Sequence, residues 1–368
     1  MKRKIAIIGA SYLQLPLVEK AKDMNLEIHC FAWDDGAVCK PLVDYFYPVS
    51  VLDKEDILIH CRDLKINGIV SIASDIVVPT IAYIASELNL VGNTEYSALI
   101  STNKHEMRKT LNSQYCPQFT NNFKDALKLD FPIIVKPTNR SGSKGVVKIN
   151  DPKELDYYFK KATEYSLDGS VIFESFFEGK EYSVESISFN GEHKILAITE
   201  KETTGSPQFV ETGHHQPAHL SEISIANIEN VVQEALSNLN ITVGASHTEL
   251  LINSSGEIRI IEVGARMGGD FIGSHLVELS TGFDYLKAVI DIAMGDYDPN
   301  NNTFAEKKHH AGIHFAYNLE SYNLIKGYSE NQNIIERKLS NDEPSKTVIE
   351  SAQRSGYMIY QSTNKIEL

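Results

Sequence analysis

The sequence predicts an α/β domain with a parallel sheet, followed by a larger α+β unit built on antiparallel hairpins. Three observations carry this. The first 95 residues alternate short apolar runs with amphipathic ones, the pattern of a parallel sheet with helices on both faces. From Val171 onward, strand-like runs are joined by tight turn signals such as Asn190-Gly191. Between them, Ile228, Val231, Val232, Ala235, Leu236 and Leu239 form one apolar helical stripe. The chain of 368 residues, with 42% hydrophobic and 23% charged content, has room for two or three domains.

In order, Ile5–Ile8 reads as a buried strand, Leu13–Met24 as a helix and Glu27–Phe31 as a second strand. Ile57–Leu64 is helical, Gly68–Ala73 a strand and Val77–Leu88 a helix. Gly9 opens the first strand-to-helix turn, but the segment lacks the second and third glycines of GxGxxG. Close backbone approach to a pyrophosphate is therefore not provided for, and a dehydrogenase is disfavoured. A substrate cleft is expected at the carboxyl ends of these strands, near Gly9–Tyr12, Asp34 and Ser74-Asp75. The basic head Lys2-Arg3-Lys4 precedes an apolar run too short for a signal peptide. With no long apolar run and a net charge of −14, neither a membrane span nor a nucleic-acid partner is expected. Four cysteines without CxxC or metal spacing read as reduced thiols of a cytoplasmic protein.

Thr102 or Asn103 can cap a helix carrying Lys104, Met107 and Arg108. Next comes the apolar strand Phe131-Pro-Ile-Ile-Val-Lys136-Pro137, then the small, basic loop Asn139-Arg-Ser-Gly-Ser-Lys-Gly145. Backbone N–H groups of such a loop can cradle phosphates, although the P-loop pattern is absent. Asp151-Pro152 starts a helix running to about Tyr165. Val171–Glu181 contains a strand, a turn and the start of another strand, and Asn190-Gly191 joins Glu181–Phe189 to Glu192–Thr199. Phe283–Met294 is a further helix, and Ala311–Tyr317 and Gly356–Gln361 are strands of a C-terminal unit.

The stretch from Ala245 to Asp270 concentrates the chemistry. Ala245, His247, Glu249 and Leu251 share one face, and Ile258, Ile260 and Glu262 share another. A two-residue Ser255-Gly256 loop would place Glu249 opposite Glu262, with Cβ atoms about 4.5–5.5 Å apart. Two carboxylates so placed repel unless a hard cation such as Mg²⁺ lies between them. Arg266 and Gly268-Gly269 follow at once, suiting a site that handles phosphoryl groups.

Lys104, Ile134-Val-Lys136-Pro, the loop SGSKG, Phe173-Glu174-Ser-Phe-Phe-Glu-Gly-Lys-Glu181, Glu249 and Glu262-x-x-x-Arg266 together resemble the ATP-grasp superfamily. The resemblance implies an ATP-grasp fold with an N-terminal parallel α/β (pre-ATP-grasp) domain over residues 1–95. The ATP-grasp domain would span 96–300, with a lid subdomain at about 110–175. A β-rich unit over 301–368 would complete the large subdomain. It also implies ATP with Mg²⁺ (or Mn²⁺) as cofactors. By resemblance Lys104 and Lys136 contact phosphates, and the loop of Gly142, Ser143, Lys144 and Gly145 closes over them. Glu174, Ser175, Phe176 and Phe177 line the adenine largely through backbone, and Glu181 accepts from the ribose. Glu249 and Glu262 hold the metal, and Arg266 steadies an acyl phosphate. Many members have asparagine two residues after the second glutamate; here that residue is Gly264.

A second likeness lies in Phe209-Val-Glu211-Thr-Gly-His214-His-Gln-Pro217-Ala218. It is similar to ATP-grasp enzymes that join amino acids, including bacterial L-amino acid ligases and carnosine-synthase-like proteins. That likeness puts Glu211 and His214 beside an acceptor amine. The function implied is an ATP-dependent carboxylate–amine ligase with small-molecule carboxylate and amine substrates, possible as a homodimer. A bicarbonate-using carboxylase or carbamoyl-phosphate-type enzyme is the rival reading, and a non-catalytic nucleotide-binding regulator the third.

Overall fold

A computed structural model describes residues 2–368, apart from 207–208, 302, 306–308, 330–332, 343, 345–347 and 349. Its first sheet comprises β1 (Lys4–Ile8), β2 (Glu27–Phe31), β3 (Tyr45–Tyr47) and β4 (Gly68–Val70), in the order β3-β2-β1-β4. All its pairings are parallel. Every residue from Ile5 to Ile8 is fully buried, as expected of a strand covered on both faces. Ala6 and Ile8 pack with Ile57, Leu58, Cys61, Ile84 and Ala85 from helices Lys54–Leu64 and Val78–Leu88. Ile5 and Ile7 pack with Leu17 and Val18 of helix Leu15–Asp23.

That second face is completed from far along the chain. Leu286, Val289, Ile290 and Ala293 of helix Tyr285–Met294 belong to the same core. The helix comes so close that a Cβ on Gly68 would lie 2.4 Å from the Ala293 carbonyl oxygen. Only glycine fits there without moving backbone.

The next sheet is β5 (Phe119–Thr120), β6 (Ile133–Pro137), β7 (Val147–Ile149) and β8 (Val171–Ser175), ordered β5-β8-β6-β7. Leu155 and Ala162 of helix Leu155–Tyr165 pack with Ile133, Val135 and Phe173 to give it a small core of its own.

The largest sheet holds β9 (Lys180–Phe189), β10 (Glu192–Thr203), β11 (Glu211–Gln216), β12 (Gly244–Ile252), β13 (Ile258–Gly264), β14 (His310–Phe315), β15 (Ile334–Leu339) and β16 (Gly356–Ser362). Its order is β13-β12-β9-β10-β11-β14-β16-β15, so the C-terminal strands extend the central sheet. Helix Glu222–Asn238 lays the predicted apolar stripe against Val184, Leu250 and Ile260. All four cysteines are buried free thiols. No described helix is long and apolar enough to cross a membrane.

The β12–β13 hairpin corrects two expectations. Its loop has three residues, not two: the Asn253 N–H donates to the Glu257 carbonyl at 3.1 Å, and Gly256 takes φ +83°. This displaces the register by one, so Leu250 opposes Ile260 and Ile252 opposes Ile258. A bulge at Ile261 then restores the register, and Glu249 does oppose Glu262. Because of the bulge, Ile258 and Ile260 do not share a face with Glu262. They enter the helix-covered core while Glu262 turns to the opposite side.

The tight helix–strand approach gives a direct test. Gly68→Ala should destabilise the protein by about 1–3 kcal/mol, the usual cost of overpacking. Urea denaturation followed by far-UV circular dichroism measures it, and a midpoint equal to wild type would show that the helix can simply withdraw.

Candidate nucleotide and substrate site

A cavity of about 520 Å³ lies between the β5–β8 sheet and the large sheet. Lys136 at the end of β6, Glu174 and Ser175 of β8, and the following Phe176-Phe177 line one wall. Gly142 and Ser143 of the 138–146 connection stand at its edge. Strand alternation sends Glu181 from β9, Lys201 from β10, and His247, Glu249 and Leu251 from β12 to the other wall. Glu262, Arg266 and Glu211 complete it.

Charges of opposite sign alternate around this cavity. Arg108 and Lys136 grip the two oxygens of Glu174, each at 2.8 Å. Burial works against the Glu174 charge, yet these two cations bring its pKa down to about 2. Burial lowers the pKa of the Lys136 ammonium in spite of Glu174. The Glu174 side chain is thus an anchor for Arg108 and Lys136, and the backbone of 175–177 follows it along the cavity. Lys104, at the start of helix Lys104–Thr110 capped by Asn103, donates to the Arg140 carbonyl at 2.6 Å and to Glu262 at 2.7 Å. It ties the loop to the hairpin.

Lys201 is buried between Glu181 and Glu249, at 2.5 and 2.8 Å. Burial opposes its charge, but the two carboxylates raise its pKa well above the ordinary value. Glu249 also accepts from His247 Nε2 at 3.3 Å, while His247 Nδ1 pairs with the fully buried Glu185. Burial would depress the His247 charge, but Glu185 outweighs it and lifts the pKa to about 9. Glu185 also accepts from the Gly268 N–H at 2.9 Å. Against the penalty of burial, Lys201 and His247 hold the Glu249 carboxyl well below the usual range.

Two carboxylates facing each other across one ladder position suit a hard divalent cation. Among the described residues no cluster of three or more metal-ligating side chains forms. Such a cation would complete its shell with phosphate and water oxygens, as Mg²⁺ does. Gly264 offers no side chain to that shell.

Arg266 forms a two-pronged pair with Asp75, through Nε at 2.9 Å and Nη2 at 2.7 Å. Burial resists both charges, but each partner stabilises the other: Asp75 is lowered and Arg266 raised. The pair fastens the carboxyl ends of the parallel strands to the cavity rim. Glu211 accepts from Ser351 Oγ at 2.5 Å. His214, beside it on β11, is buried and pairs in register with Lys201.

Two loop residues lie elsewhere than Gly142 and Ser143. Lys144 lines a second groove, shared with Lys54, Tyr96 and Glu262. Gly145 packs beneath Tyr165 and Pro137.

Sequence reasoning missed Lys201, Arg108 and Glu185 as partners in the site, and it placed Asp75 near a cleft without pairing it to Arg266. Ending β10 at Thr199 lost Lys201, although Thr199, Lys201 and Thr203 continue the alternation. Glu185 had a signal too, as an acid set among the small and apolar residues 183–189 of its strand.

Residues 129–274 match the family model described as ATP-grasp domain. Human carnosine synthase 1 is 23% identical over 332 residues, covering 80% of this chain. The chain spans 40% of that protein's length. Alanine–anticapsin ligase of Bacillus subtilis is 25% identical, covering 62% of this chain and 57% of its own. The solved L-amino acid ligase of Bacillus licheniformis superposes with TM-score 0.82 at 24% identity, covering 99% of this chain and 94% of that one. Residues 129–274 thus match an ATP-grasp domain, and the chain shares the fold of that solved ligase over 99% of its length.

Proposed function

We propose that this protein is an ATP-dependent carboxylate–amine ligase. The observation that carries the reading is the facing Glu249–Glu262 pair, set in one cavity with Lys104, Lys136 and Arg266. Relatives named as a synthase of carnosine and a ligase of alanine and anticapsin point to an amine as the acceptor.

In this reading Lys136 and Lys104 receive the phosphates of ATP. Lys104 exchanges its Glu262 partner for a phosphate oxygen, which frees that carboxylate as a ligand. Glu249 and Glu262 would hold a Mg²⁺ ion, whose charge would offset that of the triphosphate. Glu181 accepts from the ribose hydroxyls. The γ-phosphoryl group passes to a substrate carboxylate, and Arg266, fixed by Asp75, faces the charge that develops. The amine then attacks the acyl carbon, phosphate leaves, and Glu211 takes up the amine proton. The loop of Gly142 and Ser143 shields the mixed anhydride from water.

The test is phosphate release from ATP over a panel of carboxylate and amine pairs, with the amide product identified by mass spectrometry. Release that requires bicarbonate instead of a second organic substrate would favour a carboxylase. ATP binding without turnover on any pair would make the protein a nucleotide-binding regulator.

Two outcomes are expected of variants. Glu249→Gln and Glu262→Gln should each keep the far-UV spectrum of the wild type and lose Mg²⁺-dependent phosphate release; wild-type turnover in either would remove the metal assignment. Lys136→Ala should weaken ATP binding by at least about 1–3 kcal/mol, the range for a lost charged hydrogen-bond partner. Isothermal titration with ATP and with NAD checks this, and tight NAD binding without ATP affinity would overturn the reading.

A further inference from the structure

A second cavity, of about 780 Å³, lies on the far side of Glu262 and is unused by the chemistry proposed above. One wall belongs to the parallel domain and to helix Glu95–Thr102, which follows it. The other is formed by the 138–146 connection and the turn after helix Leu155–Tyr165. Arg140, Ser141 and Glu262 line both this groove and the nucleotide cavity, so the two meet there. Asp75, which fastens Arg266, lines the groove as well.

Much of the groove is apolar. Leu52, Tyr96, Leu99 and Leu167 are large side chains left 49% to 58% exposed, and all four line it. Single exposed apolar residues are ordinary. Four of them brought to one concave surface from three separate segments mark a binding groove.

Their placement is built into the fold. Thr80 Oγ1 donates to the Val51 carbonyl at 2.9 Å, which fixes the turn bearing Leu52. Tyr96 and Leu99 stand three residues apart on one helix face. The Leu167 N–H donates to Asn139 Oδ1 at 3.1 Å, which holds Leu167 against the loop.

The charges set the chemistry of the ligand. Lys54, Arg140 and Lys144 line the groove, and among the described residues none of the three forms an ion pair with a carboxylate. Lys54 is instead held over the Tyr83 ring, 3.9 Å from its centre. In a chain of net charge −14 acids are abundant, so cations kept clear of them on one surface point to an anion. Of the acids on the groove, Arg266 takes Asp75 and Lys104 takes Glu262, which leaves Glu95. Positive charge is in excess, and an ammonium group on the ligand would face more cations than free acids. The groove suits a simple acid with an apolar body and disfavours an amino acid of the same shape.

We infer that this groove binds the substrate whose carboxylate is activated, and that this substrate is an organic acid with an extended apolar body and no ammonium group. Its carboxylate lies beside Arg140, where the groove meets the nucleotide cavity, and its body lies on Leu52, Tyr96 and Leu99. The role as substrate rests on the ligase reading, whereas the class of ligand rests on the groove itself.

The experiment uses matched sets: hexanoate against norleucine and hexanamide, and 3-phenylpropionate against phenylalanine and 3-phenylpropionamide. Isothermal titration without ATP reads the groove, and phosphate release with ATP, Mg²⁺ and a panel of amines reads turnover. At least one of the two acids should bind about tenfold or more tightly than both its amino acid and its amide. Leu99→Asp should weaken that acid by about tenfold, through lost apolar contact and an added like charge. Lys54→Ala should weaken it by about threefold, the scale of an exposed charge pair. Both positions are exposed and lie outside the nucleotide cavity, so ATP affinity and melting temperature should stay at wild-type values. Failure of both acids to bind, an amino acid or amide that binds as tightly as its acid, or acid affinity unchanged in either variant would overturn the inference. An acid that binds with these variant effects yet supports no phosphate release with any amine would count against the ligase reading alone, and the groove would keep its class of ligand.

Discussion

Lys201 is the interaction on which the rest of the site depends. It sits between Glu181 and Glu249, and through Glu249 it reaches His247 and Glu185. Five charges of alternating sign thus run across three neighbouring strands, β10, β9 and β12. Any one of them buried alone would be severely penalised, whereas each here has an opposite neighbour within hydrogen-bond reach. The arrangement holds the Glu249 carboxylate ionised at the cavity wall before any ligand arrives, while burial pushes the Glu181 carboxyl up. It is therefore a preorganised electrostatic surface and not a set of separate ion pairs.

The opposite wall follows the same rule with different residues. Arg108 and Lys136 share Glu174, and Lys104 takes Glu262. Cations and carboxylates of both walls are thereby paired with one another. On the proposed ligase reading, a triphosphate with its metal would enter by exchanging partners without leaving a bare charge behind. The bidentate Asp75–Arg266 contact binds the parallel domain into this scheme and lends a rim residue the rigidity of a β-sheet end.

What was legible in the sequence was whatever rests on local pattern. The parallel β–α alternation, the helix Glu222–Asn238 and the Asn190-Gly191 hairpin all follow from periodicity and turn chemistry. The pairing of Glu249 with Glu262 was legible for a less secure reason. A loop one residue longer than expected and a bulge at Ile261 shift the register in opposite senses, and the two cancel. The face shared by Ile258, Ile260 and Glu262 was misjudged because a bulge leaves no mark in residue type. Lys201 and Arg108 were not legible as site members, because their partners lie far away in sequence and only the tertiary fold brings them together; Asp75 was placed near a cleft, but not as the partner of Arg266.

Helix Tyr285–Met294 has a consequence for how the chain is made. Ile5 and Ile7 of the first sheet find part of their cover on this helix. During synthesis the parallel domain leaves the ribosome long before its cover does, with one apolar face incompletely sheathed. That face is the natural holding point for a chaperone until the later helix arrives, and the same dependence makes the first domain a poor candidate for independent expression.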